Sequence, residues 1–446
     1  MADKSVAPTI ILNRRRLLQA GATWLAAAAA PALAQPEAGN GLPPLQLPPV
    51  SVEPLAAAGD EGYWEAVRAL YNAPDELIQL EHGNWGMMAK PVEAAYHDAV
   101  TMVNRYTSYY SRRDYGAEQG RIMGQLAQAL AVDSAELAPV RNATEALATL
   151  IGGYNRLAPG DAVMYADLDY PAMQGAMQAL QERRGVSLVT IDLPEPASHD
   201  ALLATYDDAL RANPAVRLLL ITHISHRTGL LIPVREIVAL ARSHGVDVIV
   251  DAAHSWGQVD FSLPDLGADF VGLNLHKWIG APLGLGLMYV RRERLADIDL
   301  SSADGGGRRE GGSIYSRVHT GTMNLGAMLA VPAALQVHRQ IGPALKEARL
   351  RYLRDLWAER LRSHPGIEVL TPSDRRLYAG ITSFRLRGQT GDEENMALAR
   401  RLWEEHRIFT VQRDGVASGA CVRVTPAVFT RPQEVAALAT ALERMA

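Results

Sequence analysis

The 446-residue sequence predicts an α/β fold with a mostly parallel sheet, followed by a smaller α+β C-terminal part. Three observations carry that reading. Short β-branched apolar runs alternate with longer segments of helical period between Val140 and Tyr289, the pattern of a parallel sheet covered by helices. Polar residues gather where those runs finish, at Thr222, Asp251 and Lys277, and open parallel sheets place their ligands at the carboxyl ends of strands. Beyond residue 325 a long helical stretch leads to three further short strands and two helices.

Composition sets the outer limits. With 48% hydrophobic and 21% charged residues, the chain is long enough for a large core and a second domain. A net charge of −5 gives no basic field to recruit nucleic acid. The one cysteine, Cys421, excludes an internal disulfide and any cysteine-rich metal site, so no metal is expected. No internal repeat is visible.

Taken in order, residues 1–34 read as a targeting segment. Asn13-Arg14-Arg15-Arg16-Leu17-Leu18-Gln19 precedes an apolar run, and Ala32-Leu33-Ala34 offers a cleavage site. Paired arginines before leucines resemble a twin-arginine export signal. That implies export by the twin-arginine machinery, a periplasmic location and no stable membrane insertion after cleavage. The alternative, an uncleaved anchor, meets an apolar run short of the roughly 20 residues needed to span. Residues 35–75 read as a Pro/Ala/Gly-rich arm followed by a short helix over 60–71.

A strand at 77–80 leads into Glu81-His82-Gly83-Asn84-Trp85-Gly86, a loop that is either a plain turn or a substrate contact through Asn84. A helix over 90–110 ends in an aromatic and basic cluster in which Arg113 is the residue chosen to face an acidic substrate; a solvated face is the other reading. Another helix covers 120–130. Val140 ends a strand, and Arg141-Asn142-Ala143-Thr144-Glu145 opens a helix, where Ala143 and Thr144 would meet a phosphate at the positive end. An N-cap pair of Asn142 with Glu145 is compatible with that role. Strands at 162–165, 185–191 and 216–221 follow; Tyr170, beyond the first, is placed to stack on a planar ring. A helix over 233–244 returns the chain to the sheet.

Residues 246–289 carry the chemistry. A buried strand at 246–250 ends on Asp251, and a second at 270–275 ends beside Lys277, before a third at 285–290. An acid and a lysine facing one crevice are what a pyridoxal phosphate enzyme needs: an amine for the aldehyde and a carboxylate for the pyridinium nitrogen. Ala252 and Ala253 leave room for a flat ring, and His254 stands ready to donate to its phenolate oxygen.

At these residues the chain resembles the class V aminotransferase family, which includes cysteine desulfurases and isopenicillin N epimerase-like proteins. The resemblance spans roughly residues 75–440. It implies a fold-type-I PLP-dependent transferase: a large domain over 76–325 on a mostly parallel seven-stranded sheet, and a linking helix with a small α+β domain over 326–446. It implies Lys277 as the cofactor-bearing lysine, Asp251 at the ring nitrogen, His254 at the phenolate and Tyr170 on the ring face. The resemblance further places Ala143 and Thr144 at the phosphate, with Asn274 and His276 as further candidates, and Thr322 at the phosphate of a neighbouring subunit, which implies a homodimer with shared sites. Arg423 matches the arginine that clamps a substrate carboxylate.

Two departures stand out. Residues 414–420 hold no cysteine where desulfurases carry one, and Cys421 lies in a strand as an inert thiol. His226 replaces a usual Asn or Ser, either as a wall of the cofactor site or as a second acid/base. The expected function is an exported enzyme acting at the α-carbon of an amino-acid or peptidyl amine by transamination or epimerisation, with siderophore-peptide tailoring as its specific form. A C–S lyase without a persulfide cysteine is the rival enzyme, and a PLP-fold binding protein the rival from another class.

Overall fold

The computed structural model describes residues 44–50, 52–304 and 312–446. The predicted export signal and the first part of the arm, through residue 43, lie outside the described residues, as do residues 51 and 305–311. Residues 45–446 cluster as one unit.

The chain enters through helices α1 (Pro54–Ala57) and α2 (Glu61–Arg68), the latter capped by the Asp60 carboxylate. The short strand β1 (Ile78–Gln79) leads to the helices α3 (Lys90–Arg113) and α4 (Tyr115–Leu130). Strand β2 (Leu137–Val140), α5 (Ala143–Gly153), β3 (Ala162–Ala166), α6 (Pro171–Arg184), β4 (Ser187–Ile191), α7 (His199–Ala212), β5 (Val216–Thr222), α8 (Val234–Ser243) and β6 (Asp247–Ala252) then alternate. The short α9 (Leu263–Leu266) precedes β7 (Phe270–Asn274) and β8 (Gly286–Val290). Seven of these strands form one sheet, the number expected, in the order β2-β8-β7-β6-β5-β3-β4. The pairs from β7 to β4 are parallel; β8 runs antiparallel to both β7 and β2.

The runs form strands because they are buried on both faces: every residue of β2, β3, β7 and β8 is buried. Because the parallel strands share direction, Thr222, Asp251 and the segment after Asn274 finish at one edge. Thr222 pairs with Asp251, and Asp251 with Gly272, so the register is fixed at the site itself.

The linking segment is three helices, α10 (Leu325–Leu329), α11 (Val331–Ile341) and α12 (Pro343–Leu361). The break expected at Gly342-Pro343 is there, with Gly342 at φ 97°. Strands β9 (Ile367–Val369), β10 (Thr382–Leu386), β12 (Val411–Arg413) and β13 (Cys421–Val424) make an antiparallel sheet in the order β12-β13-β10-β9. The helices α13 (Asp392–His406) and α14 (Pro432–Met445) complete this part. Strand β1 pairs with β11 (Ile408–Phe409), and Leu80 packs in one cluster with Trp357, Phe384 and Leu438. Residues 78–80, within the 76–325 expected as the large domain, thus pack with the C-terminal layer. Among the described residues no helix is long and apolar enough to cross a membrane.

Candidate active site

Asp251 lies near the end of β6 with 4% exposure. One of its oxygens accepts the Ala253 N–H at 2.9 Å, and the other receives no hydrogen bond among the described residues. Burial raises its pKa, while the Ala253 N–H and the charge of Lys277 pull the other way. The Lys277 amine is 3.0 Å from His254 Nε2. Burial lowers its pKa to about 8; Asp251 and Glu81 oppose that shift, and Arg423 and Arg413 reinforce it. His254 is buried and held well below the usual histidine range, first by desolvation and then by Lys277 and the nearby arginines.

The loop bearing Lys277 is fixed through its backbone. The carbonyls of Leu275, His276 and Lys277 accept from Ala281, Gly86 and Gly280 at 3.1, 2.9 and 3.1 Å, and that of Trp278 accepts from Lys346 Nζ at 2.8 Å. Gly86 approaches so closely that a Cβ there would lie 1.9 Å from the Lys277 carbonyl oxygen, so only glycine fits. The sequence marked this loop; the structure explains both of its glycines. A Cβ on Gly83 would meet the Arg423 guanidinium at 2.8 Å. Asn84 between them is exposed.

Arg423, on β13, has 1% exposure. It donates to Glu81 at 2.5 Å and to the His226 carbonyl at 2.7 Å, while its Nε has no partner. Desolvation lowers its pKa to about 10, against the pull of Glu81. Arg413 approaches the same Glu81 oxygen at 3.6 Å and also keeps an unpartnered Nε. Sequence reasoning passed over Glu81 and Arg413, because the ion pair closes across 342 residues and nothing local announces it.

The His226 ring meets Tyr170 edge-on at 5.2 Å, with Nδ1 unpartnered. Tyr170 caps α6 and is 39% exposed, so one face of its ring is open. Beside it Asp169 is buried with a pKa raised to about 7, although the N–H groups of Ala166 and Thr222 bind its oxygens.

At the start of α5, the Asn142 side chain accepts the Glu145 N–H at 2.8 Å, while the Glu145 carboxylate turns back to the Arg141 N–H at 2.7 Å. The expected capping pair is present with its return bond displaced by one residue. The Ala143 N–H is taken by Asn274 Oδ1 at 2.8 Å. Thr144, whose N–H and hydroxyl have no acceptor among the described residues, faces an open hollow with Arg141 and Asn142. Asn274 thus orients the helix start. His276 Nδ1 is 2.9 Å from the Leu285 carbonyl, and burial lowers its pKa.

Two predicted residues stand apart within this chain. Arg113 is exposed at the end of α3 with its guanidinium over the Tyr109 ring at 5.4 Å. Thr322 is exposed just before α10, whose cap is Asn324. Cys421 is fully buried, and its pKa is pushed up to about 12 by that burial. Among the described residues no group of three or more His, Cys, Asp or Glu is placed to hold a metal ion.

The residues present fit pyridoxal 5'-phosphate. The open oxygen of Asp251 suits a ring N–H, the amine of Lys277 an aldehyde, and Thr144, facing the open hollow at the start of α5, a phosphate. A lysine and a carboxylate converging on the carboxyl edge of such a sheet define a fold-type-I PLP-dependent enzyme.

The comparisons narrow the class. The model of the family described as Aminotransferase class-V matches residues 93–403, and the chain belongs to that family. It is 28% identical over 400 residues to an isopenicillin N epimerase of Streptomyces clavuligerus, covering 86% of this chain and 98% of the relative. It is 39% identical over 173 residues, 36% of each chain, to a putative L-cysteine desulfhydrase of Oryza sativa. Among solved structures, a cysteine desulfurase from Thermococcus onnurineus superposes with a TM-score of 0.73 at 20% identity, covering 85% of this chain and 97% of that one. The cystine C–S lyase C-DES superposes with a TM-score of 0.70 at 23% identity, covering 82% and 97%. The structural likenesses concern the fold; family membership makes the chain a PLP-dependent enzyme.

Proposed function

We propose that the protein acts at the α-carbon of an amino-acid or peptidyl amine, by epimerisation or transamination, with Lys277 as the acid/base. The observation that carries this is the half-buried Lys277 amine beside His254, with its pKa lowered to about 8. An amine in that range gives up and takes back a proton near neutral pH. When bound, pyridoxal phosphate supplies the electron sink that makes the α-hydrogen acidic.

The chain's own groups do the rest. Asp251 presents its open oxygen to the ring nitrogen; opposite unit charges near 4 Å attract by about 4 kcal/mol at an effective dielectric of 20. His254 would serve the phenolate, Tyr170 and His226 would wall the ring, and Thr144 with Asn274 and His276 would hold the phosphate. His276 spends Nδ1 on a carbonyl, so it needs a second proton to donate to phosphate. Arg423, with its free Nε, takes the substrate carboxylate.

Residues 1–34 support export by the twin-arginine route and a periplasmic location. The exposure of Thr322 supports a homodimer in which that residue completes the neighbouring site, and Asn84 and Arg113 then line the approach for an acidic substrate. A siderophore peptide is the substrate we name first. The test is incubation with candidate amines and peptides in deuterated water, followed by mass spectrometry and chiral analysis. Deuterium at the α-carbon of the recovered amine, or a keto product formed together with pyridoxamine phosphate, supports the proposal; an amine recovered without deuterium and with no keto product contradicts it.

The match to a putative L-cysteine desulfhydrase favours C–S lysis as the second reading. Release of sulfide and pyruvate from cysteine would establish it. The thiol of Cys421, buried at the sheet, does not serve as a persulfide carrier in either reading.

A further inference from the structure

We propose that Trp278 is a positioning residue that fixes which nitrogen of His254 carries the proton, and thereby holds Lys277 as a free amine. The Trp278 indole nitrogen lies 3.3 Å from His254 Nδ1, in hydrogen-bonding geometry, and both residues are buried. An indole N–H only donates. The His254 Nδ1 it faces must therefore offer a lone pair, and a neutral ring then carries its proton on Nε2.

That nitrogen is the one 3.0 Å from the Lys277 amine. With a proton on Nε2, the contact is a hydrogen bond only if Lys277 is neutral and accepts. An ammonium group would set two donors face to face. The opposite tautomer would accept from an ammonium and hold Lys277 charged, but it would drive the Trp278 N–H against a second N–H. Trp278 thus selects the tautomer whose partner is the nucleophilic amine. The other charges acting on Lys277 are Asp251 and Glu81, which favour the ammonium, and Arg423 and Arg413, which disfavour it.

Trp278 is itself held from the opposite side. Its carbonyl accepts from Lys346 Nζ, a buried amine that also lies 3.3 Å from His338 Nδ1. A Cβ on Gly257, at φ +90°, would lie 2.6 Å from the same carbonyl oxygen. Helix α12 and the turn after β6 therefore clamp the backbone that aims the indole. The inference deepens the reading of Lys277 as the cofactor lysine, but the tautomer itself does not depend on that reading.

Nitrogen-15 labelling of histidine, with His254 assigned by its loss in His254→Gln, reads the proton position directly. The expected wild-type signal has Nε2 protonated and Nδ1 bare at pH 9, above the Lys277 midpoint near 8. In Trp278→Phe, which keeps a ring and removes the N–H, the Nδ1-protonated form should appear. The pH midpoint for the rate of cofactor loading should also rise by about one unit, a tenfold change in loading below the midpoint. A wild-type His254 protonated on Nδ1, or a variant whose tautomer and loading profile match wild type, overturns the proposal. If the variant fails to fold, the wild-type signal alone decides. Reductive labelling of Lys277 tests the cofactor reading separately.

Discussion

Two sets of nitrogen-bearing side chains differ in how fully they are satisfied within the chain. On α12, Arg349 and Arg354 are fully enclosed, and every guanidinium nitrogen has an acceptor. Arg349 reaches Glu61 and the carbonyls of Ala58, Val428 and Thr430; Arg354 reaches Thr382, Asp355, Glu359 and the Pro372 carbonyl. At the carboxyl edge of the sheet, the buried Arg423 and the half-buried Arg413 and His226 each leave a nitrogen without a partner. Buried polar groups cost free energy unless they are satisfied. The first set is satisfied without a ligand and serves stability, whereas the second leaves nitrogens open at the candidate site; Arg351, also on α12, leaves its Nε open elsewhere.

That contrast is open to direct attack. The largest effect is expected for Lys277→Ala, where turnover should fall at least about 1,000-fold, within the range for loss of an acid/base, with little change in melting temperature. Asp251→Ala should keep the cofactor loosely bound and lose about 100-fold or more in kcat, measured by steady-state kinetics and cofactor absorbance. Arg423→Lys keeps the charge facing Glu81 but loses the planar fork, so kcat/KM for a carboxylate substrate should fall about 100-fold. Arg354→Met should do the reverse: about 2–4 kcal/mol of stability lost in denaturant titration and kcat/KM of the folded enzyme within about twofold. Cys421→Ala should be smallest, about 1 kcal/mol in stability and no loss of turnover. A large loss of turnover there would restore a role for the thiol.

The pH dependence follows from Lys277. Its pKa lies near 8 rather than 10.5, so the free amine gains population as pH rises toward 8. The rate of cofactor loading should climb about tenfold per pH unit below that value and level off above it.

The same division governs what was legible in the sequence. Asp251, His254 and Lys277 stand within a few residues of strand ends, so a local pattern located them. Arg423 sits in a strand and was placed only by resemblance. Glu81 and Arg413 were missed because their meaning lies in contacts between distant segments. Helix α12 buries Lys346, Arg349, Arg351 and Arg354, which blurs the apolar stripe that marks a helix face. The antiparallel course of β8 and the pairing of β1 with β11 have no local signature either.

The central claim is a covalent bond between the Lys277 amine and the aldehyde of the cofactor. Borohydride reduction of the yellow holoenzyme, followed by peptide mapping, should leave a pyridoxyl group on Lys277 alone. A tag on another lysine, or no tag on a protein that turns over substrate, would contradict the account.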